Sequence, residues 1–137
     1  MEVLIVEDSP IFRNLLKYGL QSRYPDVVIR EAASVADGRL VARAHPPAVV
    51  LMDLQLPDGN GLDLTRSLTR EIPGVRVVVC TAHDLPEHRE EAVRCGAVHF
   101  VCKDRLAEVG FMELVGELLG LGIERESPLA GGTTENS

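Results

Sequence analysis

The chain has 137 residues, which is enough for one domain with a single buried core and too few for two ordinary domains. Apolar residues make up 45% of the sequence and charged residues 26%, a balance that is typical of a soluble globular protein and excludes a chain disordered throughout. The formal net charge of -7 argues against direct binding to nucleic acid, because such binding depends on clustered Lys and Arg.

Strand and helix patterns alternate from the first residues of the chain. A β-branched apolar run at residues 3–6 predicts the first strand, and Ser9-Pro10 then offers a helix N-cap followed by proline at the first helical position. Apolar residues continue this first helix at helical spacing: Phe12, Leu15, Leu16 and Leu20. A run at residues 27–29 predicts the second strand, and Ser34 can cap a second, weaker helix. The pattern of that helix consists of Ala36, Leu40 and Ala44.

The same alternation continues through the second half of the chain. Apolar runs at residues 48–52, 75–80 and 98–102 predict the third, fourth and fifth strands. The third helix is marked by Leu64, Leu68 and Ile72. Residues 86–95 predict a fourth, polar helix with little to bury, and Asp104 can cap a fifth helix. The apolar positions of the fifth helix are Phe111, Leu114, Val115, Leu118 and Leu119.

Five successive strand and helix units indicate an α/β fold, in which a parallel sheet is covered by helices on both faces. The first, third and fourth strands are almost continuously apolar, as the interior strands of such a sheet are. The second and fifth strands carry Arg30, Glu31 and His99, which favours the two edge positions for them.

The periodic patterns end near residue 121. Residues 122–137 have no apolar period and are rich in Gly, Ser, Thr and Glu, so we expect a disordered tail or a truncated linker there. The longest apolar runs have only the length of strands, and no basic region followed by an apolar segment opens the chain. We therefore expect a cytoplasmic location and no membrane association.

The residues that could carry chemistry stand where the predicted strands end. In an open parallel sheet, ligands bind beyond the carboxyl ends of the strands. Those ends offer Glu7 and Asp8 after the first strand, Asp53 after the third, Thr81 after the fourth and Lys103 after the fifth. Converging carboxylates repel one another, so they need a counter-charge, and a hard divalent cation such as magnesium prefers oxygen ligands.

One of these carboxylates could also act as a nucleophile. A carboxylate can attack phosphorus to give an acyl phosphate, provided that the charge on the transferring group is neutralised. Lys103 offers a point charge to one phosphoryl oxygen, and the Thr81 hydroxyl can donate a hydrogen bond to another. The strand ends together therefore predict a site for phosphoryl chemistry.

Four ordered segments resemble the receiver domain of two-component response regulators, and the resemblance covers roughly residues 1–121. The segments are Ile-Val-Glu-Asp-Ser at 5–9, Leu-Met-Asp-Leu-Gln-Leu-Pro-Asp-Gly-Asn-Gly at 51–61, Cys-Thr-Ala at 80–82 and Phe-Val-Cys-Lys-Asp at 100–104. The resemblance implies a flavodoxin-like, doubly wound sheet of five parallel strands in the order 2-1-3-4-5, with five helices. Residues 1–121 would then form the receiver domain.

The resemblance also implies a role for each residue of the acidic group. Asp53 would be the phosphoacceptor, and Glu7 and Asp8 the acidic pair that binds the metal together with Asp53. The backbone carbonyl of Gln55 would complete the protein ligands. The cofactor would be magnesium or manganese.

Further roles follow for the residues around that group. Thr81 would be the switch hydroxyl, Lys103 the lysine that contacts the phosphoryl group, and Phe100 the switch aromatic. By the same resemblance, Gln55 and His83 would flank the approach of water to the phosphorylated side chain, so we expect these two residues to set the lifetime of that state.

The same resemblance implies partners and an output. The phosphoryl group would come from a histidine kinase or a histidine phosphotransfer protein, and the signal would pass to a downstream partner protein or to an output domain that this sequence lacks. A phosphorylation-dependent dimer would form through the fourth helix, the fifth strand and the fifth helix. The protein would be a switch that catalyses only its own phosphorylation and dephosphorylation, and not an enzyme that turns over other substrates.

Three other functions remain open to test. A hydrolase with an aspartyl-phosphate intermediate would need a second acid two residues after Asp53, where this chain has Gln55. A flavodoxin-like nucleotide binder is disfavoured because Glu7 and Asp8 would repel the phosphate. A receiver-like interaction module that works without phosphorylation would have little need of the complete set of site residues.

Overall fold

The computed structural model describes residues 1–83, 85–105 and 110–121. In chain order the elements are β1 (Glu2–Val6), α1 (Pro10–Arg23), β2 (Val28–Ala32), α2 (Val35–Ala44), β3 (Val49–Asp53), β4 (Gln55–Leu56), β5 (Gly59–Asn60), α3 (Gly61–Glu71), β6 (Arg76–Thr81), α4 (Pro86–Arg94), β7 (His99–Cys102), a single 3-10 turn (Lys103–Arg105) and α5 (Phe111–Leu118). The segment 122–137, for which we expect a tail or linker, lies outside the described residues.

Five parallel strands form one sheet in the order β2-β1-β3-β6-β7. Without the short strands β4 and β5 this is the predicted order 2-1-3-4-5, and the prediction that the second and fifth strands form the edges is confirmed. The pair β4 and β5 was not predicted. It is a two-stranded antiparallel hairpin directly after β3, in which Gln55 pairs with Asn60 and Leu56 with Gly59.

The sheet separates two hydrophobic layers, because alternate side chains of a strand point to opposite faces. In β1, Val3 and Ile5 belong to the layer covered by α1 and α5, whereas Leu4 and Val6 belong to the layer beneath α2, α3 and α4. All four are buried. Burying each such side chain stabilises the fold by about 1.5–3 kcal/mol, which explains the continuous apolar runs of the interior strands.

Helix α1 begins as the sequence predicts. Ser9 is the N-cap, its hydroxyl oxygen accepts from the backbone N–H of Phe12 at 3.3 Å, and proline fills the first helical position. Leu16 and Leu20 are buried, but Leu15 is 56% exposed and is therefore not part of the core, although the sequence pattern included it.

Helix α2 forms where the sequence predicts, but the apolar residues from which it was predicted lie on its exposed face and not on its buried face. Leu40 is 66% exposed, and the residues that α2 buries are Gly38 and Ala42. A Cβ on Gly38 would lie 2.9 Å from Leu64 Cδ2 and 3.3 Å from Val6 Cγ2. Small residues thus let α2 pack close to the sheet, so its buried face does not read as an apolar stripe.

The two last helices also differ in how well they match expectation. Helix α4 is polar, as predicted, and Ala92 is the residue that it buries. The prediction that Asp104 caps α5 is wrong, because Asp104 lies in the 3-10 turn and α5 begins only after Gly110. The Gly110 N–H instead donates to Glu113 Oε1 at 2.9 Å. None of the helices in the described parts of the chain is long and apolar enough to span a bilayer.

Candidate functional site

The carboxyl ends of β1, β3, β6 and β7 meet at one edge of the sheet, as the sequence predicts. Strand pairing brings them into line, since Asp53 pairs with Cys80 and Thr81 pairs with Cys102. An open cleft of about 400 Å³ lies at this edge. The site residues that line it are Glu7, Asp8, Asp53, Gln55, Thr81 and Lys103.

Glu7 is the most firmly held carboxylate of this cleft. Its residue is 2% exposed, Lys103 Nζ lies 2.8 Å from Glu7 Oε1, and the Ser9 N–H donates to Glu7 Oε2 at 3.0 Å. The backbone of Glu7 is held as well, because its N–H donates to the carbonyl of Ala32 at 2.9 Å. Both oxygens of a buried carboxylate are therefore satisfied, as burial of a charge requires.

Asp8 differs from its neighbour, since it is exposed to solvent. Glu7, Asp8 and Asp53 each offer a carboxylate oxygen, and these oxygens lie within 4.8 Å of one another. An all-oxygen set at this separation suits a hard divalent cation, which these three residues could hold. Clustered negative charge of this kind also needs such a counter-ion.

Asp53 ends β3 and is almost completely buried. Burial and the charge of Glu7 raise the pKa of the Asp53 carboxyl to about 6, and the opposing effects of Lys103 and of the Gln55 backbone N–H do not cancel this rise. At pH 7 the carboxyl is still mostly ionised. A carboxylate that is shielded from water and open to one cleft suits nucleophilic chemistry.

Lys103 bridges the two buried carboxylates from the end of β7. Its Nζ lies 2.8 Å from Glu7 Oε1 and 3.5 Å from Asp53 Oδ2, and it is 4.6 Å from the centre of the Phe12 ring. Burial acts to lower the pKa of Lys103, but the hydrogen bond to Glu7 and the charge of Asp53 outweigh it, so the pKa lies above its usual value. The lysine is therefore a permanent cation at the cleft.

Thr81 ends β6 and is buried. Its hydroxyl oxygen accepts from the backbone N–H of His83 at 3.2 Å. A hydroxyl that accepts in this way keeps its own proton for donation, here toward the cleft that Thr81 lines.

The remaining two predicted residues, Phe100 and His83, do not line the cleft as the structure describes it. His83 is exposed, and its backbone N–H donates to the Thr81 hydroxyl at the edge of the site. Phe100 is half-buried on β7, and the Arg89 guanidinium of α4 stacks over its ring, with Cζ 4.7 Å from the ring centre.

Two residues that contact the backbone of the site residues were not identified from the sequence. Arg13 donates from Nη1 to the backbone carbonyl of Glu7 at 2.7 Å, and its Nε donates to Glu31 Oε1 at 3.1 Å. Gly61 begins α3 against the backbone of Asp53, and a Cβ there would overlap the Asp53 carbonyl oxygen. The glycine that closes the 51–61 segment was the one signal for the second contact, whereas nothing in the sequence links Arg13 to Glu31.

Comparison with known sequences places this geometry in a family. Residues 3–110 match the family model described as the response regulator receiver domain. The chain is 37% identical over 101 residues to the photosynthetic apparatus regulatory protein RegA of Cereibacter sphaeroides, covering 74% of this chain and 53% of that protein. It is 32% identical over 126 residues to the DNA-binding transcriptional activator DevR/DosR of Mycobacterium tuberculosis, covering 91% of this chain and 56% of that protein. The chain thus spans about half the length of these curated relatives.

Solved structures show the same architecture. A two-component response regulator of the LuxR family from Aurantimonas sp. SI85-9A1 superposes with a TM-score of 0.74 at 28% identity, covering 87% of this chain and 85% of that one. The signal receiver domain of the putative response regulator NarL from Mycobacterium tuberculosis gives a TM-score of 0.74 at 27% identity, covering 87% and 96%. A signal receiver domain from Colwellia psychrerythraea 34H shares the fold, with a TM-score of 0.82 at 20% identity over 88% of this chain and 98% of that one.

Proposed function

The chain belongs to the response regulator receiver domain family, and we propose that it accepts a phosphoryl group on Asp53 from a histidine kinase or a histidine phosphotransfer protein. One observation carries the proposal. A buried carboxylate at the end of β3 faces a cleft that it shares with the Lys103 ammonium, 3.5 Å away, and with the Thr81 hydroxyl. Residues 1–121 would form the receiver unit.

Each side chain has a separate part in the transfer. An oxygen of Asp53 forms a bond to phosphorus while the bond between phosphorus and the donor's imidazole nitrogen breaks. Lys103 offsets negative charge on one phosphoryl oxygen, and the Thr81 hydroxyl donates a hydrogen bond to another. Because Asp53 and Lys103 are already held beside each other, these two groups need little reorganisation for the transfer.

We propose that Glu7, Asp8, Asp53 and the backbone carbonyl of Gln55 hold magnesium or manganese. The bound cation would neutralise charge that develops on the phosphoryl oxygens. The three carboxylate oxygens within 4.8 Å of one another support this assignment. Glu7 and Lys103 would keep the remaining charges of the cleft balanced, since they are hydrogen-bonded at 2.8 Å.

The response to phosphorylation would be a shift between two conformations. A phosphoryl oxygen that draws in the Thr81 hydroxyl would free space into which Phe100 can turn, which would change the surface formed by α4, β7 and α5. That surface would bind a downstream partner, an output domain or a second copy of the chain, in the cytoplasm. The relatives RegA, named as a regulatory protein, and DevR/DosR, named as a DNA-binding transcriptional activator, are about twice as long as the matched region.

We propose that the protein acts on itself and does not turn over other substrates. An aspartyl-phosphate hydrolase would use a second acid two residues after the phosphoacceptor, but Gln55 stands there. Catalysis would therefore be limited to its own phosphorylation and dephosphorylation.

Intact-mass spectrometry after incubation with acetyl phosphate and magnesium tests the proposal. The wild-type protein should gain the mass of one phosphoryl group, and the Asp53→Asn protein should gain none. Equal modification of both proteins would show that Asp53 is not the acceptor.

A further inference from the structure

The loop that follows Asp53 is tied to a different part of the fold by one side chain. Asp58 lies at the turn of the β4–β5 hairpin and is exposed. Its Oδ1 accepts from the Val35 N–H at 2.7 Å and its Oδ2 from the Ala36 N–H at 3.0 Å. The carboxylate thus caps the first turn of α2, more than twenty residues earlier in the chain.

This contact adds to a cap that α2 already possesses. The Ser34 hydroxyl oxygen accepts from the Asp37 N–H at 3.1 Å, so Ser34 alone provides the usual N-cap. Asp58 satisfies two further N–H groups that the first turn of a helix leaves without partners. A carboxylate there also meets the positive end of the helix dipole, and these bonds lower the pKa of Asp58.

The other end of the hairpin forms a wall of the cleft. Gln55, Leu56 and Pro57 all line it, immediately before Asp58. Leu56 is buried in the hydrophobic layer beneath α2 and α3, which fixes one side of the hairpin. The side chains at the tip are exposed, and the hydrogen bonds of Asp58 tie the tip to α2.

We propose that Asp58 is a positioning residue that clamps the 55–60 hairpin to the N-terminus of α2 and so holds the Gln55 backbone in place for the cation. This inference rests on the proposed function, since it concerns the same cleft. It assigns Asp58 a role in cation affinity although the side chain neither lines the cleft nor belongs to the acidic group. It also links α2 to the occupancy of the cleft.

The test is a titration with Mn²⁺, followed by electron paramagnetic resonance of the free ion. Asp58→Ala removes both acceptors and should weaken Mn²⁺ binding about threefold to fivefold. This factor is expected if the free energy of one lost helix cap had stabilised the conformation that binds the ion. Asp58→Asn keeps one acceptor oxygen and should lie between wild type and Asp58→Ala. The amide resonances of Val35 and Ala36 should shift in both variants without any cation present.

Two matched controls separate the clamp from simpler explanations. Ser34→Ala removes the other cap of α2 and should destabilise the fold to a similar extent without changing Mn²⁺ affinity. Asp37→Asn removes a charge from the same exposed helix turn without touching the hairpin, so it measures the long-range effect of charge alone.

The outcomes distinguish the inference from the function on which it depends. If Asp58→Ala binds Mn²⁺ as wild type does, or only as weakly as Asp37→Asn, the clamp has no positioning role and the proposed function is untouched. If Asp58→Asn and Asp58→Ala weaken binding equally and match Asp37→Asn, charge is the cause. If the wild-type protein binds no Mn²⁺ at the cleft, the proposed cation site fails, and the clamp's role in it fails with it.

Discussion

Two regions on either side of the cleft are built very differently. At the ends of β1 and β3, Glu7 and Asp53 are 2% and 6% exposed, and β3 is buried along its whole length. On the other side, α4 buries only Ala92, and no residue of β7 is fully buried. The two buried carboxylates proposed for chemistry thus stand at the ends of buried strands, whereas the surface proposed to respond is loosely packed, as an element that must move needs to be.

The largest expected effect is on the free energy of unfolding, and it should differ between a core side chain of α3 and an apolar side chain of α4. Leu64 of α3 is completely buried, so Leu64→Ala should lower the free energy of unfolding by about 2–5 kcal/mol. Val93 of α4 is 67% exposed, so Val93→Ala should change it by less than about 0.5 kcal/mol. Urea denaturation measures both. Equal losses would mean that α4 is packed as firmly as α3.

The same contrast explains how far the sequence could predict the structure. The strand ends were predictable because apolar runs stop at Glu7, Asp53 and Lys103, and parallel strands bring such ends to one edge. The buried face of α2 was not, because glycine and alanine make its contacts and leave Leu40 as the visible apolar residue. The roles of the site residues themselves stay predictions.

Contacts between elements were the part that the sequence could not supply. Asp58 reads locally as a turn residue, yet both of its oxygens accept from the first turn of α2. Arg13 reads as a polar position of α1, yet it donates to the Glu7 carbonyl and to Glu31 of β2. Such contacts depend on which elements the sheet order places next to each other, and local sequence patterns do not predict that order.

The next effect concerns the acidic group at the rigid edge. Removing one ligand charge should weaken binding of a hard cation, so Asp8→Asn should bind magnesium about tenfold more weakly or worse. Asp8 is exposed, and the substitution should therefore leave the fold intact. Isothermal titration calorimetry measures the affinity, and Asp26→Asn, another exposed aspartate, is the control. Unchanged affinity in Asp8→Asn would contradict the assignment of this ligand.

A smaller effect is expected in the loosely packed region. The Arg89 guanidinium stacks on the Phe100 ring at 4.7 Å, and a partly exposed contact of this kind is worth about 0.5–1 kcal/mol. If that contact favours the resting position of Phe100, Arg89→Ala should raise the population of the activated conformation about twofold to fivefold before phosphorylation.

Nuclear magnetic resonance provides the measurement for Phe100. The resonances of α4 and β7 in Arg89→Ala should move part of the way toward those of the wild-type protein with beryllofluoride, a stable mimic of the phosphoryl group. Arg94→Ala is the matched control, because Arg94 lies on the same helix and pairs with Glu91 at 2.9 Å. Shifts confined to the surroundings of residue 89 itself would show that the stacking does not hold the switch.

The smallest effect is expected at Gln55, which follows β3, and at His83, which follows β6. Loss of the phosphoryl group requires water in line with the acyl-phosphate bond, and the family resemblance predicts that both residues flank that approach. Gln55 lines the cleft and can donate to or accept from the water, whereas His83 is exposed, is not among the residues that line the described cleft, and bonds to Thr81 through its backbone. Gln55→Ala should therefore change the decay rate more than His83→Ala does.

Neither residue is expected to act as a full general base, so both changes should stay well below the ~10²-fold that such a base contributes. The measurement is to phosphorylate each variant, remove the donor and follow the loss of the phosphoryl mass with time. Decay at the wild-type rate in both variants would reject a role in the lifetime. Failure of either variant to become phosphorylated would instead show that the residue is needed for phosphoryl transfer and not only for the lifetime of the product.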